Sequence, residues 1–207
     1  MVAPYPYADF SKTPAVAVAG RYPMAGRAGS RVKVGVYDSR TDKVLFLATD
    51  PEKDEYLTNV TWGPKGDRLF VAHVNRGQDR MDLVEYSATT GKPVRTHFTE
   101  EDGEWVEPES GPVVLPDASG RDLWFSYRDG YRHLYLYSRS GKDPRRVTSG
   151  KFDVAAFKGW DARGLGFYFR STGPDPRQQH LYHAGLNGSQ RAVTSLRGHH
   201  DAEPSPG

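Results

Sequence analysis

A repeat roughly fifty residues long constrains this chain more than any other feature. Val34 to Leu83 covers 49 positions, Leu83 to Leu134 covers 51, and Leu134 to Leu181 covers 47. Each of these residues falls in the third strand of one recurring plan. A short strand leads through a Pro/Asp/Gly turn to a second strand, then to an aromatic strand, a Gly turn and a closing strand. The first full unit has strands at 57–62, 68–74, 82–86 and 94–98, with turns at Gly63-Pro64-Lys65-Gly66 and Thr90-Gly91-Lys92. The second uses 113–115, 123–127, 133–137 and 145–148, and the third 154–160, 165–170, 180–182 and 191–194.

Four antiparallel strands in units of this length predict the blades of a β-propeller. One such sheet cannot dry both of its faces, but sheets stacked side by side turn two wet faces into one buried interface. The third strand of the second unit fits that demand. Leu134 and Leu136 point one way while His133, Tyr135 and Tyr137 point the other, so both faces carry bulk. Asp129-Gly130 and Asn187-Gly188 suit hairpins that need positive φ. No helical period of useful length occurs. The expected class is all-β, a partial propeller of about three and a half blades read as a single domain, 1–207. Its parts are an extension plus half-blade at 1–50, blades at 57–103, 106–150 and 152–196, and the start of another at 197–207.

The chain is thus expected to break in mid-unit at both ends. Strands near 32–37 and 44–47 match the second half of a blade, and Glu203-Pro204-Ser205-Pro206-Gly207 matches an inter-strand turn. An open apolar sheet face is expected on the third blade, where Phe167 and Tyr168 place an aromatic on each side, and unpaired strand edges are expected on the half-blade.

Composition removes several function classes. Lys and Arg number 28 against 26 Asp and Glu, and the charges are interspersed rather than gathered in a basic stripe, which argues against nucleic acid. No apolar run is long enough for a transmembrane helix, and residues 1–6 lack the pattern of a secretory leader. The absence of cysteine removes disulfides and Cys-based zinc sites.

Candidate chemistry is sparse. No Gly-x-Ser-x-Gly elbow presents a serine nucleophile, so no catalytic residue is assigned and this chain alone is not expected to be an enzyme. His199-His200-Asp201 with Glu203 is the best metal candidate, and an independent metal hydrolase would rest on it alone. Adjacent histidines on an extended strand point to opposite sides, so the preferred reading is a solvated linker with no metal and no cofactor. Glu107 and Glu109 flank Pro108 and could act as paired carboxylates or receive an amino terminus; the acidic run Glu100-Glu101-Asp102 upstream makes a simple acidic loop the plainer reading. Trp62, Trp124 and Trp160 are expected in the inter-blade core, whereas Trp105 lies in a linker where it can overhang the central channel. Arg128-Asp129-Gly130-Tyr131-Arg132-His133 could bind an anion but reads first as a hairpin tip.

A longer series is more specific. Tyr22-Pro23-Met24-Ala25-Gly26, Val34-Gly35-Val36-Tyr37-Asp38 and residues 56–62 are followed by Val106-Glu107-Pro108. Residues 128–137, Val147-Thr148-Ser149-Gly150 and His180-Leu181-Tyr182 complete the order. The series resembles the N-terminal propeller of the dipeptidyl peptidase IV family of prolyl-oligopeptidase-like serine peptidases, bacterial members above all, over nearly the whole chain.

That resemblance implies an eight-bladed propeller capping a C-terminal α/β-hydrolase domain, which would be the partner of this chain. The parent would release dipeptides with Pro or Ala second from the amino end of a peptide substrate. The resemblance implies an extracytoplasmic protein, periplasmic or secreted, and allows a homodimeric parent. The family's Ser, Asp and His match no position here, and its amine-binding acidic pair falls upstream of Met1. Met1 aligns with interior sequence, so a truncated reading frame or excised fragment is expected. By position alone, the linker before Val106-Glu107-Pro108 places Trp105 and Glu107 at the substrate rim. The alternative is a TolB-like propeller acting as a protein-interaction scaffold, which would not need residues 22–26 or the Val106-Glu107-Pro108 linker.

Overall fold

The computed structural model describes residues 2–117 and 119–205, and among them it contains strands and no helix. An N-terminal hairpin joins β1 (Tyr7–Asp9) to β2 (Val16–Val18), and a second ribbon joins β3 (Gly35–Asp38) to β4 (Lys43–Phe46). Three four-stranded antiparallel sheets follow. The first comprises β5 (Glu55–Trp62), β6 (Arg68–Asn75), β7 (Arg80–Ser87) and β8 (Pro93–Glu101). The second comprises β9 (Val113–Val114), β10 (Asp122–Ser126), β11 (His133–Tyr137) and β12 (Arg145–Arg146), and the third β13 (Val154–Trp160), β14 (Gly166–Ser171), β15 (His180–Gly185) and β16 (Gln190–Ala192). Strands pair in chain order, as turns of a few residues require. Gly130 and Gly188 supply the positive φ, +84° and +91°, that their hairpins need.

Alternation along each strand divides its side chains between two cores. On β6, Leu69 and Val71 face the β3–β4 ribbon, while Phe70, Ala72 and Val74 face the second sheet. On β10 and β11, Trp124, Tyr135 and Tyr137 complete that core, and Leu123, Phe125, Leu134 and Leu136 turn to the third sheet. There they meet Val154, Phe167, Phe169 and Ala184. Each interior sheet is therefore dried on both faces, the stacking expected of propeller blades.

Between the first and second sheets, Phe98 stacks on Tyr137 with centroids 4.0 Å apart, and His97 Nε2 lies 2.6 Å from Asp122 Oδ1. Both members of the His97–Asp122 pair are almost fully enclosed. A hydroxyl clasp recurs in the two later sheets. The Leu134 N–H donates to Thr148 Oγ1 at 2.9 Å, and the Leu181 N–H donates to Thr194 Oγ1 at 3.0 Å, each tying a third strand to the chain after the fourth.

Two expectations need correction. Trp62 is 52% exposed and is not core: it ends β5, the edge strand of the first sheet, opposite Leu69. Trp160 and Trp124 do lie in inter-sheet cores as expected, Trp160 partly buried against the second–third core and Trp124 fully enclosed. The free face of the third sheet is polar rather than apolar. Phe167 turns inward, and the outer side carries Tyr168 against His183 with Arg170 and Lys158, both paired with Asp201. The exposed apolar face lies instead on the β3–β4 ribbon, at Tyr37, Val44 and Phe46. Pro206 and Gly207 of the expected terminal turn lie outside the described residues.

Candidate functional site

The linker between β8 and β9 is pinned along its length. The Asp102 N–H donates to the Asp79 carbonyl at 3.0 Å and the Val106 N–H to the Gln78 carbonyl at 2.6 Å. Val106 is buried in the first–second core. Asn59 Nδ2 donates to the Pro108 carbonyl at 2.8 Å, and Asn59 reaches it from a β-bulge at positive φ, +54°. At the far end Glu109 Oε2 pairs with Arg132 at 3.1 Å and Glu109 Oε1 accepts the Tyr127 hydroxyl at 3.2 Å.

Between these anchors two side chains are left outward. Trp105 is 60% exposed, and Glu107 is exposed with no partner among the described residues. Glu107 and Pro108 form a wall between two depressions. One is an open hollow of about 440 Å³ with Pro23, Val32, Tyr56, Leu57 and Val74 in its walls. The other is a narrow cleft of about 30 Å³, bounded by Trp105, Phe125, Ser126, Tyr127 and Arg128. The structure thus places both Trp105 and Glu107 beside concave surface.

The other candidates are engaged internally. Glu107 and Glu109 do not form a carboxylate pair, because Arg132 and Tyr127 hold Glu109. Glu100 accepts the Trp124 indole N–H at 2.9 Å, the Ser126 hydroxyl and Arg128 at 3.2 Å, so it anchors the second sheet. Glu101 pairs with Arg80, and Asp102 caps the Glu104 N–H at 2.9 Å. Arg128 lies 4.6 Å over the Tyr135 ring and donates to the Tyr137 hydroxyl, whose pKa burial pushes up to about 12 against the pull of that guanidinium. Arg132 is 6% exposed, covers the Phe125 ring at 4.1 Å and donates to the Val154 and Ala155 carbonyls at 3.1 and 3.2 Å. The segment 128–133 is a hairpin tip whose arginines brace neighbouring sheets.

At the C-terminal end Asp201 turns to Arg170 at 2.9 Å and Glu203 to Lys158, while the His200 ring packs 5.1 Å from that of His180. The carboxylates pair with cations instead of converging with the imidazoles. Among the described residues no group of three or more His, Cys, Asp or Glu is arranged to hold a metal ion.

The open hollow itself has little signature in the sequence. It is assembled from three distant stretches, 23–32, 54–58 and 74–78, together with Glu107-Pro108. The one local hint is the β6–β7 hairpin, where Gln78 takes a positive φ of +60° and Arg76 lies over the Tyr56 ring at 5.5 Å.

All of residues 1–207 match the family model described as the dipeptidyl peptidase IV (DPP IV) N-terminal region. A probable dipeptidyl-aminopeptidase B of Tuber melanosporum is 35% identical over 191 residues, 84% of this chain and 21% of that protein. The corresponding protein of Aspergillus oryzae is 32% identical over 204 residues, 90% of this chain and 22% of its own length. The chain therefore spans about a fifth of the curated relatives it matches. Among solved structures, a putative dipeptidyl aminopeptidase IV from Bacteroides ovatus superposes with a TM-score of 0.81 at 30% identity, covering 92% of this chain and 29% of that one. Porphyromonas gingivalis dipeptidyl peptidase 4 gives a TM-score of 0.79 at 23% identity, covering 96% of this chain and 28% of that one, a likeness of fold.

Proposed function

Because the chain belongs to the family of dipeptidyl peptidase IV N-terminal regions, we propose that it is the non-catalytic propeller portion of a serine-type dipeptidyl peptidase. In this reading a hydrolase domain elsewhere in the parent protein cuts dipeptides from the amino end of peptides. The sheets here shape the approach to that centre, with Trp105 and Glu107 on its rim. The observation that carries the reading is the pinned linker: anchors at Asp102, Val106, Pro108 and Glu109 hold an unpaired carboxylate outward beside the open hollow and an indole beside the narrow cleft. A rim must be stiff to discriminate, because ordering a mobile loop on each encounter would consume binding energy. Glu107 offers a counter-charge to a peptide cation, and Trp105 offers an apolar ledge.

The test uses the full-length protein that carries this chain. Trp105→Ala and Glu107→Gln should each lower kcat/KM on oligopeptides of the X-Pro type by about threefold to tenfold, as expected for partly solvated contacts. The melting temperature should stay unchanged, since both side chains are exposed. Unaltered kcat/KM in both variants would refute the rim. The 207-residue chain alone should not turn over a Gly-Pro chromogenic substrate.

A further inference from the structure

We propose that the open hollow beside Glu107 is a side-chain subsite selecting peptides that carry a bulky apolar residue next to a lysine or arginine. The inference rests on the rim reading above and adds to it the class of peptide the rim admits.

The walls argue for the apolar half. Pro23, Val32, Tyr56, Leu57, Val74 and Pro108 surround about 440 Å³, room for a phenylalanine or leucine side chain, within the range of small-ligand sites. The cleft across the Glu107-Pro108 wall, about 30 Å³, admits no side chain, so a peptide reaching Glu107 can seat its apolar group on one side only.

Charge argues for the cationic half. Every other ionised group at the hollow already has a partner. Glu55 is held by Lys53 at 3.0 Å and by His73 at 2.9 Å. Arg76 lies over Tyr56, 4.0 Å from Asp54, and donates to the Arg27 carbonyl at 3.4 Å. Glu107 alone has no partner among the described residues, which leaves one uncompensated negative charge on the rim. A peptide cation compensates it; a peptide carboxylate is repelled.

The probes are acetyl-Phe-Lys-amide, acetyl-Phe-Glu-amide and acetyl-Gly-Lys-amide, whose blocked amino ends prevent them from serving as dipeptidyl substrates. Their binding to the full-length protein is followed by titration calorimetry, and their inhibition of chromogenic turnover is measured in parallel. Acetyl-Phe-Lys-amide should bind more than about tenfold tighter than the glycine peptide, from apolar burial, and about fivefold tighter than the glutamate peptide, the upper end for an exposed ion pair. Glu107→Gln should abolish the Lys-over-Glu preference and keep the Phe-over-Gly preference. Gly29→Leu, which projects a side chain from ordinary backbone into the hollow near Asp54 and Arg76, should abolish the Phe-over-Gly preference. Binding with these preferences but without inhibition supports the subsite and refutes the rim. Equal affinities for the three peptides, or preferences untouched by both substitutions, overturn the subsite.

Discussion

Replacing Gly141 by alanine tests how tightly the second sheet is seated on the first. Gly141 lies in the β11–β12 turn at φ +73°, donating its N–H to the Ser138 carbonyl at 2.8 Å. A methyl group there would overlap the backbone carbonyl of His97 on β8. Gly130, in the preceding hairpin at φ +84°, is a natural control, because a methyl group there meets nothing within 4 Å. Both substitutions carry the cost of an L-residue at positive φ, roughly 1–2 kcal/mol. Gly141→Ala adds the cost of forcing apart two packed backbones, about 1–3 kcal/mol, since His97 is fixed by its bond to buried Asp122. Urea unfolding followed by tryptophan emission suits the assay, because Trp124 is fully buried at this interface. The expected result is a loss of about 2–5 kcal/mol for Gly141→Ala against about 1–2 for Gly130→Ala, with unchanged m-values. Equal losses within about 0.5 kcal/mol would refute the close seating of the two sheets.

Two further outcomes follow from buried polar groups. Burial pushes the Asp122 carboxyl above its ordinary 3.8, with His97 pulling it back; an acid raised in the folded state contributes stability that is full below its unfolded value and lost as pH rises through the folded one. Asp122→Asn should therefore flatten the pH dependence of unfolding free energy above pH 3.8, and identical slopes for variant and parent would contradict this. Thr148→Val keeps shape but leaves the Leu134 N–H without its acceptor and His133 Nδ1 without its 3.1 Å neighbour. That should cost about 1–3 kcal/mol in thermal or urea unfolding, and a neutral result would show the clasp to be dispensable.

The sheets were legible because their signals are local and repeated. Strand periodicity at 133–137 assigns the leucines and tyrosines to opposite cores, where the structure has them. The β1–β2 hairpin was not legible. Its three-residue strands, Tyr7–Asp9 and Val16–Val18, are too short to show a period. Trp62 misled because an aromatic at a strand end looks the same in sequence whether it faces a neighbouring sheet or solvent. The roles of Arg132 and of His97 with Asp122 depend on partners 22 to 25 residues away in sequence, brought together only by sheet stacking. Of the candidate site, the linker singles out Trp105 and Glu107 in the sequence, but the hollow beside Glu107 is built from separate stretches and has no linear pattern.

Photo-crosslinking from position 105 asks whether the exposed linker faces a hydrolase domain. With p-benzoylphenylalanine replacing Trp105 in the full-length protein, irradiation followed by peptide mass spectrometry reports what the exposed linker faces. The account predicts cross-links to an α/β-hydrolase domain, and their loss when a proline-containing peptide inhibitor fills the active site. Cross-links confined to the linker itself, unaffected by the inhibitor, would contradict it.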